Sequence, residues 1–130
     1  MQSSVQERWS MQPEERDAAY LWDMLDAAKT NVEFTKGINY VSYLKDRKLQ
    51  LAVERSVEII GEAAKNISQS FKDAHPEIPW RIIIAQRNVL AHEYGEIKQD
   101  RMWMLSIKNI PEFIEVIDPL IPAPPHEPEK

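Results

Sequence analysis

Residues 49–71 read LQLAVERSVEIIGEAAKNISQSF, and the spacing of their apolar side chains decides the fold. Leu49, Ala52, Val53, Ser56, Val57, Ile60, Ala63, Ala64, Ile67 and Phe71 recur at steps of three and four, which puts them on one stripe of an α-helix. Gly61 stands inside that run and costs about 1 kcal/mol relative to alanine in a helix interior. Its simplest explanation is the close approach of a neighbouring helix. The run stops at residues 75–79, HPEIP, where two prolines forbid a continuing helix.

The same period extends on both sides. Upstream, Pro13 suits a first helical position, and Glu14 and Glu15 suit the positive end of the helix dipole. Ala18, Leu21, Trp22, Leu25, Ala28 and Val32 then form an amphipathic stripe, and Gly37 is placed to stop it. Residues 38–46 read as a connector with room for one helical turn. Downstream, a third helix opens near Pro79 and Trp80, carries Ile83, Ile84, Arg87, Leu90 and Ala91, and should end about Gly95. A fourth runs from near Lys98 with Met102, Leu105 and Ile110 inward, then Phe113, Ile114 and Ile117. Pro111 should kink it or start a new turn.

These elements predict an all-α, up-and-down bundle of four to five helices joined by short connections. Residues 1–12 read as a polar N-terminal extension and residues 13–118 as the helical-bundle domain. Residues 119–130, with prolines at 119, 122, 124, 125 and 128, read as a proline-rich disordered tail.

Composition narrows the function classes. The chain has 130 residues, 43% of them hydrophobic and 28% charged, as in a single soluble globular domain. No apolar run approaches the roughly 20 residues that span a bilayer, and the N-terminus lacks the apolar stretch of a secretion signal. With no cysteine, disulfides, thiolate zinc sites and cysteine nucleophiles are all excluded, and a cytoplasmic location is expected. A net charge of −5 argues against broad electrostatic binding of nucleic acid, though a local basic cleft remains open.

The one dense polar cluster is residues 87–94, RNVLAHEY. Asn88 and His92 are four apart and share a helix face. Arg87 and His92 are five apart, about 140° around an ideal helix. One straight helix therefore does not aim both at one phosphate. Loosening of the helix, wrapping of the arginine side chain, or a second protomer would resolve the difficulty. Chemically the pair suits RNA cleavage by the 2′-hydroxyl without a metal or other cofactor. Histidine moves protons near neutral pH, and arginine offers a charged planar fork to phosphoryl oxygens. Asn88 would hold the imidazole or donate to the phosphate. Taken alone, an Arg–His pair on a helix is more often a surface pair. His75 and His126 have no evident partners, and Glu54, Arg55, Glu58 and Glu62 read as a solvated face with supporting ion pairs.

Arg-x4-His-x-Tyr, present here as Arg87, His92 and Tyr94, resembles the signature of HepT-like toxins in the HEPN superfamily. Residues 57–64, VEIIGEAA, look like that family's second long helix. Residues 76–80, PEIPW, followed by RNVLAH at 87–92, look like its link into the catalytic helix. The resemblance covers roughly residues 14–118. Glu93 departs from it, since relatives often carry glycine between the histidine and the tyrosine. It implies a homodimer with two motifs beside a shared cleft, and Arg87 and His92 as the catalytic residues of a ribonuclease acting on RNA. It also implies a type VII-like toxin–antitoxin pair, in which a minimal nucleotidyltransferase antitoxin can transfer AMP to Tyr94. The alternative is a non-catalytic module that binds nucleotide or pairs with a nucleotidyltransferase.

Overall fold

A computed structural model describes residues 13–92 and 97–122. Helix α1 spans Pro13–Thr35, α2 Tyr40–Leu44, α3 Arg47–Asn66, α4 Gln69–Ala74 and α5 Trp80–His92. Helix α6 spans Gln99–Met104 and runs through a π-helical turn, Leu105–Asn109, into α7, Ile110–Ile117, and a closing 3-10 turn, Asp118–Leu120. Among the described residues there is no strand, and the all-α architecture read from the spacing stands. No helix among them is long and apolar enough to cross a membrane.

Helices α1 and α3 pack against each other most extensively, with α5 on the other flank of α3 and α7 against α1. The two central helices run antiparallel, because Asp17 near the start of α1 meets Ser68 just past the end of α3. Leu21, Met24 and Ala28 from α1 meet Val53, Val57, Ile60 and Ala64 from α3, and Ile117 from α7 joins them, all in the core. Each fully buried large side chain there contributes about 1.5–3 kcal/mol through removal of apolar surface from water. One polar contact crosses this core. Asn31, fully buried, donates through Nδ2 to Ser56 Oγ at 2.8 Å, and the Ser56 hydroxyl donates in turn to the Val53 carbonyl at 2.8 Å.

Local chemistry sets the helix ends. Gly37 takes a positive φ of 74° just past α1, the left-handed conformation in which a Cβ would crowd the backbone carbonyl and which glycine adopts freely. Asp46 caps α3 by accepting the Leu49 amide at 3.0 Å. The stripe read as one helix through Phe71 is in fact two. Ile67 is extended, and Ser68 caps α4 by accepting from the Phe71 amide at 3.2 Å. The Asp17 carboxylate holds this corner by accepting from both the amide and the hydroxyl of Ser68, at 2.8 and 2.6 Å. Ile67 and Phe71 still pack on the core, so the apolar spacing survives the break.

The link that follows docks rather than wanders. Ile78 and Trp80 are buried, and the Trp80 indole donates to the His75 carbonyl at 3.0 Å. Phe71 meets Trp80 edge-on at 6.1 Å. These anchors fix where α5 starts and the line it takes across α3. Further on, the Ile110 amide bonds the Leu105 carbonyl five residues back, the widened π spacing, immediately before Pro111. Proline has no amide to continue the ladder, which accounts for the disturbance expected there. Leu120 and Ile121 lie partly buried against the core. The remainder of the proline-rich tail, and the N-terminal extension, lie outside the described residues.

Candidate functional site

Arg87 sits where α5 crosses α3, and Gly61 makes the crossing possible. A Cβ placed on Gly61 would collide with the Arg87 Cβ, and it would lie 3.0 Å from Arg87 Cγ and 3.1 Å from the Ile83 carbonyl oxygen. The close approach inferred for Gly61 is therefore present, and the side chain that comes close is the motif arginine itself. Its aliphatic stem lies over the glycine, leaving the side chain only 19% exposed. Arg87 is thereby as much a packing residue as a charged one.

The guanidinium is held at its tip. Its NH2 group donates to Glu62 Oε2 at 2.7 Å, and its NH1 group donates to Asn88 Oδ1 at 3.2 Å. Arginine has no acceptor, so the Asn88 oxygen must face it and the Asn88 amide protons are turned elsewhere. The Arg87 Nε is buried with no hydrogen-bond partner. A donor group left so in a dry spot costs about 1–3 kcal/mol unless a ligand or water satisfies it. This fork thus has one carboxylate neighbour, one amide neighbour and unused donor capacity.

Helix α5 is continuous through His92. Loosening of the helix between the two motif residues is therefore ruled out, and their positions stay about 140° apart around the axis. Asn88 and His92 keep the four-residue spacing that places them on one face. The side chain of His92 is not described. Tyr94 lies outside the described residues, as do Glu93 and the helix end expected about Gly95.

Residues 97–100 are clamped against α2 and α3. Tyr43 is fully buried on α2 and donates its phenol proton to Gln99 Oε1, and Gln99 Nε2 donates to Glu54 Oε2 at 2.6 Å. Arg47 approaches the same Glu54 oxygen at 3.5 Å. Gln50 Nε2 donates to the Tyr43 and Leu44 carbonyls, both at 3.1 Å. Burial, and then the nearby Glu54 carboxylate, push the Tyr43 phenol well above its usual pKa, with Arg47 opposing them weakly. It is a fixed proton donor. These contacts tie residues 97–100 to α2 and α3.

Of the acidic residues read as a solvated face, Glu54 departs from that reading, and Glu62 keeps to it while pairing with the motif arginine. Glu54 is nearly buried inside the clamp, and Glu62 holds Arg87. Arg55 and Glu58 form the surface pair that was anticipated, at 2.7 Å. A signal for Glu62 was present in its place directly after Gly61, because whatever approaches the glycine must also pass its neighbour. Among the described residues, no group of three or more His, Asp or Glu side chains is arranged to hold a metal ion.

The family model described as ribonuclease HepT-like matches residues 24–120. A protein of Thermococcus cleftensis, named as a candidate ribonuclease HepT, is 44% identical over 92 residues, covering 71% of this chain and 84% of its own. A candidate RNase of Methanocaldococcus jannaschii is 36% identical over 109 residues, covering 84% of this chain and 90% of its own. A candidate RNase of Caldanaerobacter subterraneus subsp. tengcongensis is 38% identical over 94 residues, 72% of this chain and 84% of its own. No solved structure matches.

Proposed function

Since this chain belongs to the HepT-like ribonucleases of the HEPN superfamily, we propose that it is a metal-independent endoribonuclease toxin of a type VII-like toxin–antitoxin pair. The observation that carries the reading is the Arg87 fork, braced at the α3–α5 crossing with one N–H to spare on each terminal nitrogen, on the helix that also holds Asn88 and His92. The imidazole of His92 takes the proton of an RNA 2′-hydroxyl. The 2′-oxygen then bonds to the adjacent phosphorus, and the bond from phosphorus to the 5′-oxygen breaks. A protonated imidazole returns a proton to that oxygen, so the products are a 2′,3′-cyclic phosphate and a 5′-hydroxyl. Arg87 stabilises the charge that gathers on the phosphoryl oxygens, and the outward amide of Asn88 donates alongside it.

The angular separation of Arg87 and His92 on an unbroken helix favours a homodimer, in which His92 of the partner subunit completes the site. A groove of about 400 Å³ beside α5, lined by Ile82, Ile83 and Gln86 and facing Phe113 and Val116 of α7, supports that assembly. Ile82 and Val116 are 62% and 41% exposed there, apolar surface that a second copy would cover. The partner that neutralises the toxin is a minimal nucleotidyltransferase that transfers AMP from ATP to Tyr94. Phosphate added beside Arg87 would then compete with RNA for the fork.

The test is growth on induction without antitoxin, together with end analysis of the cut RNA. Arrest by the wild type, rescue by His92→Ala at equal expression, and cyclic-phosphate ends support the nuclease. Equal growth of both refutes it and favours the nucleotide- or partner-binding module. Light scattering that shows a monomer at micromolar concentration removes the shared site. Tyr94→Phe should still cut RNA but gain no AMP mass when co-expressed with the antitoxin. An added AMP mass on that variant would refute Tyr94 as the acceptor.

A further inference from the structure

A second pocket lies on the far side of the clamp, between the α2–α3 junction and residues 97–100. It measures about 670 Å³, and Tyr40, Arg47 and Lys98 contribute to its lining. Gln50 and Gln99 also line it, and their hydrogen bonds to the Tyr43 carbonyl, the Tyr43 phenol and Glu54 hold these walls in place before any ligand arrives. Lys98 is exposed and has no ion pair among the described residues. Arg47 keeps 65% of its side chain exposed, although it leans on Glu54. Lys45 and Lys48 flank the junction and are exposed as well. Against these cations stand Asp100 in the lining, Asp46 beside the junction and Glu54 against Arg47, so the pocket is positive by a narrow margin in a chain of net charge −5. An aromatic ring accompanies it, since Tyr40 is 38% exposed while one side tilts against Trp103 at 6.0 Å.

We propose that this pocket is a subsite for single-stranded RNA, holding a nucleotide that flanks the one being cut. Arg47 and Lys98 take its phosphate, and the Tyr40 ring packs against its base. Cations lining a groove beside an exposed aromatic suit single strands without selecting a sequence, because every base has a π face. The distance fits as well. Ile97 follows His92 by five residues, so even a fully extended chain keeps the pocket within roughly 18 Å of the motif helix. A strand running from the reacting phosphate reaches it within a few nucleotides. An acidic protein surface would also meet the cations, but it would have no use for a partly open ring beside rigid polar walls. The subsite rests on the nuclease reading for its substrate and on its own geometry for its position.

The probe is a mixed-sequence single-stranded oligoribonucleotide, 2′-O-methylated to prevent cleavage, with its affinity for the full chain measured over a salt series. Each phosphate contact on a single strand contributes a slope of about 0.7 in log K against log salt. Lys98→Ala, which breaks no ion pair or side-chain hydrogen bond among the described residues, should lower the slope by about 0.7, and Lys98→Ala with Arg47→Ala by about 1.4. Tyr40→Ala should weaken binding at every salt concentration with the slope unchanged. In cleavage assays the Lys98→Ala variant should show a raised KM with kcat retained. An unchanged slope and KM in a folded Lys98→Ala protein overturn the subsite, as does a loss confined to affinity for a protein partner. A wild type that cuts RNA with KM indifferent to Lys98 overturns the subsite alone. A wild type that binds with a Lys98-dependent slope but cuts nothing overturns the nuclease and keeps the subsite.

Discussion

Replacing Gly61 by alanine is the most informative perturbation of the crossing. In an unobstructed helix the change stabilises by about 1 kcal/mol, because alanine loses less backbone entropy. Here the new methyl falls onto the Arg87 Cβ, with the Ile83 carbonyl 3.1 Å away. Neither atom is the free end of a flexible side chain, so α3 and α5 must separate to make room. Overpacking of that kind costs about 1–3 kcal/mol. Taking the middle of that range against the helix gain leaves a net loss of about 1 kcal/mol. For a domain of this size that is a fall in Tm of about 3–5 °C. The displacement also moves Arg87 by a fraction of the helix separation. Misplacement of about 1 Å at a reacting phosphate can cost on the order of 100-fold in rate. Urea unfolding gives the first quantity and single-turnover RNA cleavage the second. Stabilisation of about 1 kcal/mol on Gly61→Ala, the value for an open helix, would refute the close crossing and with it the account of how Arg87 is held.

Three further outcomes follow from contacts described above. Glu62→Gln keeps a hydrogen-bond acceptor for Arg87 but removes the competing charge, so short oligonucleotides should bind several-fold tighter in an anisotropy titration. Stability should move by less than about 1 kcal/mol, because Glu62 is 53% exposed; weaker binding would show that the carboxylate is needed to aim the fork. Tyr43 is held protonated by burial and by Glu54, so its folded pKa lies above the unfolded value of about 10. Its contribution to stability is whole below about pH 10 and is lost as pH rises above that, so ultraviolet titration should find one phenol that ionises only as the chain unfolds. Ser56→Ala strips the acceptor from the buried Asn31 amide and should cost about 1–3 kcal/mol by urea unfolding. A change below about 0.5 kcal/mol would mean that the amide finds another partner.

What the sequence disclosed, and what it withheld, follows the range of the interactions. The stripes of α1 and α3 are local periodicities, and each helix needs only its own spacing to be recognised. Gly61 was legible because a glycine among good helix formers has a cost that something nearby must offset. The Ile67–Ser68 break was not, because the apolar period runs straight across it. The decisive partner, the Asp17 carboxylate, comes from the start of a different helix. Glu54 was misread for the same reason, since Gln99 reaches it from another helix; Glu62 is the exposed, ion-paired residue that was read, but its partner Arg87 also comes from another helix. The motif itself was found by its pattern of residue types. Its angular problem was visible in the numbering, and the unbroken helix sharpened that problem. How Arg87 packs depends on two helices crossing at one glycine, and no single stretch of sequence records it.

The wide turn at Leu105–Asn109 bears on how the chain tolerates changes in length. A π turn is in effect an α-helix with one residue too many, absorbed in a single loop of backbone. Deleting one residue from it would restore regular hydrogen bonding and leave everything beyond nearly in place, because the wide turn has already taken up the extra 100°. Ile110 and Ile117, both buried, would keep their places in the core. Forcing the turn into a regular α-helix at full length would instead swing both of them round by about 100°. The surplus residue is therefore taken up locally, and this segment should tolerate the loss of one residue better than the gain of another.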